Sequence, residues 1–248
     1  MTLADILISL FPHGHNVMLE EGLLAGRGKR PNGDSLIVVG VDGRLPVGVE
    51  QAAWLSGKVL DAIKAGGKEP ILVLIDSGSQ RMSKRDELLG ISEFLAHLGK
   101  CLIYADRKGH PTIGLLYGQT AAGAFIATAL ATRTLVALPG AEPAVMDLPS
   151  MSRVTKLPLE VLQEKARSTP VFAHGLDNLA QTGAVATVLD PGQSLAEQLE
   201  VLLKLEVSAE SFASVQADTR DLLGKERKGR PKAADIAERV YELARASV

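Results

Sequence analysis

The chain has 248 residues, a length one large domain can fill, and its 27 Lys+Arg nearly cancel its 29 Asp+Glu. The resulting net charge of −2 supplies no global field to draw it to nucleic acid or an anionic membrane. Hydrophobic residues make up 46% of the chain, aromatics only 4%, and there are 24 glycines and one cysteine. That balance excludes disorder, collagen, coiled coil, an internal disulfide and a multi-cysteine metal site, and it suits a reducing compartment.

In chain order, residues 3–11 predict a short amphipathic helix, broken by Pro12-His13-Gly14-His15, and no basic region precedes that apolar run, so the cytoplasm is the expected location. Residues 17–28 predict one strand, and Pro31-Asn32-Gly33 a turn into a buried strand at 35–41. A helix is expected over 48–65, with Ala52, Leu55, Val59, Leu60 and Ile63 on its apolar face and Gly66-Gly67 as its stop. The continuous run Ile71-Leu72-Val73-Leu74-Ile75 predicts a strand covered on both faces and ending at Asp76, with 76–80 as a loop. One long helix is expected over 84–108, its face formed by Leu88, Leu89, Ile91, Leu95, Leu98, Leu102 and Ile103. Cys101 falls mid-helix, where a free cysteine is a small core residue.

Residues 111–132 carry no charge over about the length of a spanning helix, but Pro111, Gly114, Gly118, Gln119 and Gly123 punctuate them. They predict a strand at 112–117, a sharp loop at 118–120 and a small-residue helix at 121–131. A strand at 134–138, helices at 156–167 and 175–182, a strand at 184–189 and helices at 194–206 and 232–246 complete the pattern. The basic, turn-rich stretch 224–231 predicts a solvated linker, dividing the chain into a domain at 1–223 and a linker plus C-terminal helix at 224–248.

Common motifs fail. Gly26-Arg27-Gly28-Lys29-Arg30-Pro31 ends in proline and precedes no helix, Gly57-Lys58 lies inside one, His13 and His15 have no partners for a metal, and no G-x-S-x-G elbow occurs. What remains is the turn from strand to helix at Gly118, Gln119 and Thr120. The first amides of a helix lack intrahelical acceptors, and the methyl or smaller side chains of Ala121, Ala122, Gly123 and Ala124 let a substrate oxygen approach the backbone. Two readings stand: an oxyanion hole, or small residues that only permit tight helix packing.

An ordered series of segments carries a resemblance: ILVLIDSGSQ at 71–80, DELLGI at 86–91, HPTI at 110–113, GQTAAGAFIAT at 118–128, ALPGAEPAVMD at 137–147, LPSMSRVTKLPLE at 148–160 and STPVFA at 168–173. The series resembles the C-terminal carboxyltransferase halves of biotin-dependent acyl-CoA carboxylases, and more closely the gamma subunits of biotin-independent malonate decarboxylases. The resemblance implies an α/β crotonase-like fold of the ClpP/crotonase type, a ββα spiral with flanking helices. It implies a carboxy-lyase subunit that works with a beta subunit, an acyl carrier protein and an acyltransferase subunit, with no cofactor bound directly, because malonyl rides as a thioester on the carrier's CoA-like prosthetic arm.

Carried over residue by residue, it makes the amides of Gly123 and Ala124, with Ala122 as alternate, the donors to the developing oxyanion, at the carboxyl end of the substrate. Glu142 is the candidate proton donor, against a purely structural role. Gly78 and Gln80 are candidate pocket residues alongside Gly118, Gln119 and Thr120, against a structural turn. No metal is implied. Where the family's loop is richer in glycine or serine, this chain has Gln119-Thr120-Ala121-Ala122, which leaves backbone chemistry open and removes a serine side chain from it. The same residues remove a ClpP-like peptidase, which needs a serine there. A biotin-dependent carboxyltransferase subunit and a non-catalytic scaffold that completes a partner's pocket are the alternatives.

Overall fold

The structure, a computed structural model, describes residues 1–146, 148–168, 175–207 and 220–246. The segment 168–173 of the resemblance lies almost wholly outside these residues. A seven-stranded sheet, in the order β1-β2-β3-β4-β5-β7-β9, forms the middle layer. It comprises β1 (Met18–Glu20), β2 (Leu23–Lys29), β3 (Ser35–Val47), β4 (Ile71–Gln80), β5 (Thr112–Leu116), β7 (Thr134–Ala137) and β9 (Thr187–Val188). β1, β2 and β3 are antiparallel neighbours, and every pairing from β3 to β9 is parallel.

The central strands are apolar on both faces because both faces are covered. Ile71, Val73 and Ile75 face the core under α2 (Val49–Lys64), α4 (Ile91–Arg107) and α5 (Ala122–Thr128). Leu72 and Leu74 face the opposite core, under α1 (Leu3–Leu10) and α9 (Leu195–Val207). The buried side chains of Leu95, Leu98 and Leu102 on α4 each contribute about 1.5–3 kcal/mol through removal of apolar surface from water.

Two strands leave the main sheet. β6 (Gln119–Ala121) and β8 (Glu142–Ala144) pair in parallel as a second, two-stranded sheet. The chain therefore runs β5–β6–α5 and then β7–β8–α6 (Leu148–Thr155), each turn placing its first strand in one sheet and its second in the other. This is the expected ββα spiral. The remaining helices are α3 (Lys84–Leu88), α7 (Leu159–Ser168), α8 (Leu176–Gln181), α10 (Arg220–Glu226) and α11 (Pro231–Ala246). No described helix is long and apolar enough to cross a membrane.

Several expectations are corrected. Residues 17–28 form a hairpin, because Glu21 and Gly22 both take positive φ and turn the chain between β1 and β2; three strands thus precede α2. β4 does not stop at Asp76: it bends past a register shift and pairs again through Leu45↔Ser77 and Val47↔Gln80. The helix expected over 84–108 breaks at Gly90, whose φ of 81° reverses the helical path. The break turns α3 away from the core, so Leu88 and Leu89 are exposed, and Ile103 also lies on the outer side of α4. Gln119 and Thr120, expected in a loop, belong to the strand β6 that follows Gly118, and α5 runs only from Ala122 to Thr128. α6 was not expected; the helix expected over 156–167 starts at Leu159 as α7.

The basic stretch near 224–231 is also anchored to the body. Arg227 donates to the carbonyls of Ala180 (2.7 Å), Val185 (2.7 Å) and Ala186 (2.8 Å). Its guanidinium thereby satisfies backbone acceptors of the α8–β9 connection.

Candidate functional site

The C-terminal ends of β4 and β5 meet β6, β8 and the start of α5. In parallel sheets the carboxyl ends of the strands are where loops diverge and leave room for ligands. Two contacts join β4 to this corner. The buried hydroxyls of Ser77 and Thr120 lie 2.8 Å apart, and the Gly123 N–H donates to Oε1 of Gln80 at 2.8 Å.

Gly118 makes the corner possible. The Asp76 carboxylate lies against it and accepts the Gln119 N–H at 2.9 Å, and a methyl built on Gly118 would overlap that carboxylate and lie 2.7 Å from Asp76 Cβ. Gly78 is similarly confined, because a Cβ there would be 3.0 Å from the Arg44 carbonyl oxygen. Ala122, the first residue of α5 and directly after β6, has a φ of 51°. A non-glycine residue in the left-handed region costs on the order of 1 kcal/mol or more, so the sharp turn that aims α5 is held there by its surroundings.

An ionic cluster braces the same edge. Arg81, the residue after Gln80, donates its backbone N–H to Val47 (2.9 Å), and its guanidinium pairs with Asp86 and Glu50. The Arg81 guanidinium holds the Asp86 carboxyl below the usual carboxylate range. Together they lash the end of β4 to the first turns of α2 and α3. On the other side of the sheet, Tyr117 donates to Asp42 at 2.7 Å; burial, then the Asp42 carboxylate, pushes its hydroxyl pKa up.

The sequence-predicted residues thus gather at one junction, some exposed and some buried. Gly123 and Ala124 are in the first turn of α5, with Gly123's amide already engaged by Gln80. Thr120 is buried in the link to Ser77 and presents no free hydroxyl to solvent. Gln119 and Glu142 are exposed neighbours in the β6–β8 ladder, with Gln119 Nε2 donating to Glu142 Oε2 at 3.3 Å. Ser77, Asp76 and Arg81 escaped sequence reasoning because their partners are 43, 43 and 31 residues distant. Two concavities lie between the β1–β2 hairpin and α2 around Trp54, and residues 118–124 line neither of them. Cys101 is buried, as expected, and among the described residues no cluster of His, Cys, Asp and Glu could hold a metal ion.

Residues 43–244 match the family model of MdcE, the malonate decarboxylase gamma subunit. A Pseudomonas malonate decarboxylase hetero-tetramer in complex with coenzyme A contains a similar chain, at 25% identity, 98% coverage of both chains and a TM-score of 0.74. The Pseudomonas MdcD–MdcE hetero-dimer is similar at 25% identity, 98% coverage of both chains and a TM-score of 0.70. Transcarboxylase 12S, at 17% identity and a TM-score of 0.66 over 84% of this chain and 40% of that one, shares the fold. The malonyl-S-ACP:biotin-protein carboxyltransferase MADD of Malonomonas rubra is 29% identical over 153 residues, 58% of this chain. The chain spans about half the length of that curated relative (52%).

Proposed function

This chain belongs to the malonate decarboxylase gamma subunit family, and from that premise we propose that it acts with a beta subunit to decarboxylate a malonyl thioester carried on an acyl carrier protein. An acyltransferase subunit would load and unload the carrier. The observation that carries the reading is the junction of β4, β6 and α5, where small side chains bring a half-buried turn of backbone at 121–123 beside Gln80, with Ala124 buried beneath it, in a chain that matches the family from 43 to 244.

In the reaction the malonyl carboxylate leaves as carbon dioxide. The electrons of the broken C–C bond move onto the thioester carbonyl oxygen, and the enolate carbon then takes a proton from water to give the acetyl thioester. The protein's tasks are to withdraw the carboxylate from water and to place donors where negative charge develops. The turn at Ala122 and Gly123, with Gln80 bonded to it and Ala124 buried beneath, is where this chain would place a donor, and Gly78, Gly118, Gln119 and Thr120 shape the corner. Glu142, exposed and bonded to Gln119, stands at its rim as an alternative proton source. Desolvation falls to the partner: Ile126 on α5, Met82 just past the end of β4 and Val145 just past β8 are exposed apolar side chains suited to burial under a beta subunit.

A second reading, carboxyl transfer to a biotin carrier, is favoured by the likeness to MADD. Malonyl carrier labelled at the free carboxyl, given to the beta–gamma complex, separates the two. Label released as carbon dioxide without biotin supports decarboxylation; release that requires a biotinylated acceptor, with label on it, supports transfer; absence of either from the complete complex defeats both.

A further inference from the structure

We infer that the hydrogen-bond donor this chain offers the substrate is the side-chain amide of Gln80, and that Gly123 acts through it as a positioning residue. The inference rests on the reading of function above and deepens it. A backbone N–H can only donate, so the bond from Gly123 at 2.8 Å fixes which end of the carboxamide faces α5: the oxygen. The Nε2 group therefore points away from Gly123, and among the described residues neither of its hydrogens has an acceptor.

The residue is fixed at its backbone and its side chain is met by Gly123. Its backbone is in register with Val47, and the next residue, Arg81, is tied to Val47, Glu50 and Asp86. Gly123 has no side chain where the carboxamide arrives: a Cβ there would be 3.2 Å from Oε1 and 3.5 Å from Cδ, and 3.0 Å from Leu95 Cδ1. The half-buried carboxamide is thus oriented before any ligand binds. A donor already in place loses little freedom when it meets an oxygen, and the Gly123 bond polarises the amide so that its N–H groups donate more strongly. A neutral donor of this kind suits an oxygen that gains or carries negative charge, the carboxylate or the enolate oxygen of a malonyl thioester.

If the Gly123 amide were itself the donor, Gln80 would be an obstacle that the substrate had to displace. The two arrangements give opposite results on substitution. The test uses the beta–gamma complex with malonyl carrier protein and two variants of similar length, Gln80→Met and Gln80→Glu. Methionine removes the donor without adding charge. Glutamate keeps an acceptor for the Gly123 N–H and so preserves the geometry, but at neutral pH it has no hydrogen to give.

Both variants are expected to lose about 100-fold in kcat, the usual effect of removing one oxyanion donor, while complex assembly is unchanged. As pH falls into the carboxyl range, activity of Gln80→Glu relative to wild type is expected to climb, because the protonated carboxyl regains an O–H donor; relative activity of Gln80→Met stays flat. A merely structural role predicts no such pH-dependent recovery. Full kcat in Gln80→Met with an active wild type overturns the inference and leaves the functional reading standing. An inactive wild-type complex overturns the functional reading, and this inference with it.

Discussion

Replacing Gly118 by alanine tests whether this glycine lines a pocket or holds the corner. The added methyl would overlap the Asp76 carboxylate and lie 2.7 Å from its Cβ, closer than real Cβ contacts come. Neither neighbour is free to retreat. Asp76 is part of β4, and Gly118 is fixed between β5 and β6 by the Glu142 N–H, which donates to its carbonyl at 3.0 Å. Overpacking of this kind costs about 1–3 kcal/mol. Moving the carboxylate also breaks its bond from the Gln119 N–H, worth about 1.5–3 kcal/mol for a charged acceptor. The sum is roughly 2.5–6 kcal/mol, read by chemical denaturation of the purified chain followed by circular dichroism.

The companion Asp76→Ala should lose only the hydrogen bond. The double variant should be less destabilised than the sum of the single ones, because the bond is lost once and the carboxylate overlap vanishes. Recovery stays partial, since the Cβ at 2.7 Å remains. Gly118→Ala within about 0.5 kcal/mol of wild type, or strict additivity in the double variant, would refute the packing argument.

Two further substitutions probe the supports of the site. Asp86→Asn weakens the tie to Arg81, which holds the folded-state carboxyl below its unfolded value. The stability it contributes is therefore present above the ordinary carboxyl pKa of about 3.9 and is lost as pH falls through the lower folded value. The variant should be less stable than wild type at pH 7, with the gap closing below about pH 4; a gap independent of pH contradicts the assignment. Arg227→Ala removes donors from three carbonyls and should cost roughly 2–4 kcal/mol, with faster amide exchange at 180–188. Unchanged exchange there would mean that the guanidinium is not what fastens the C-terminal helices.

The parts of the fold legible in sequence were those with local causes. Ile71-Leu72-Val73-Leu74-Ile75 reads as a doubly covered strand because burial on both faces demands an unbroken apolar run. α2 is legible from its apolar periodicity and the glycines that follow it. β6 and β8 were not: three-residue strands such as Gln119-Thr120-Ala121 have no periodicity, and their pairing joins residues 23 apart. The polar extension of β4 was hidden for the same reason, since Ser77 and Gln80 become strand only through β3 and find their side-chain partners in Thr120 and Gly123. Arg227 lay in a basic run of the type that is ordinarily solvated, and nothing local marks the carbonyls it reaches. The site's location came from a resemblance at Gly118 to Ala124, while the engagement of Gly123 by Gln80 required the third dimension.

The central claim is that this chain places its own groups at the reacting centre and does more than complete a partner's pocket. The most direct measurement is a structure of the beta–gamma complex holding a non-cleavable malonyl thioester analogue. The account predicts an oxygen of the malonyl group within hydrogen-bonding distance of the Gln80 carboxamide nitrogen, with the Gly123 N–H still bonded to Gln80. A malonyl group contacted wholly by the beta subunit, with residues 76–80 and 118–124 untouched, would contradict it.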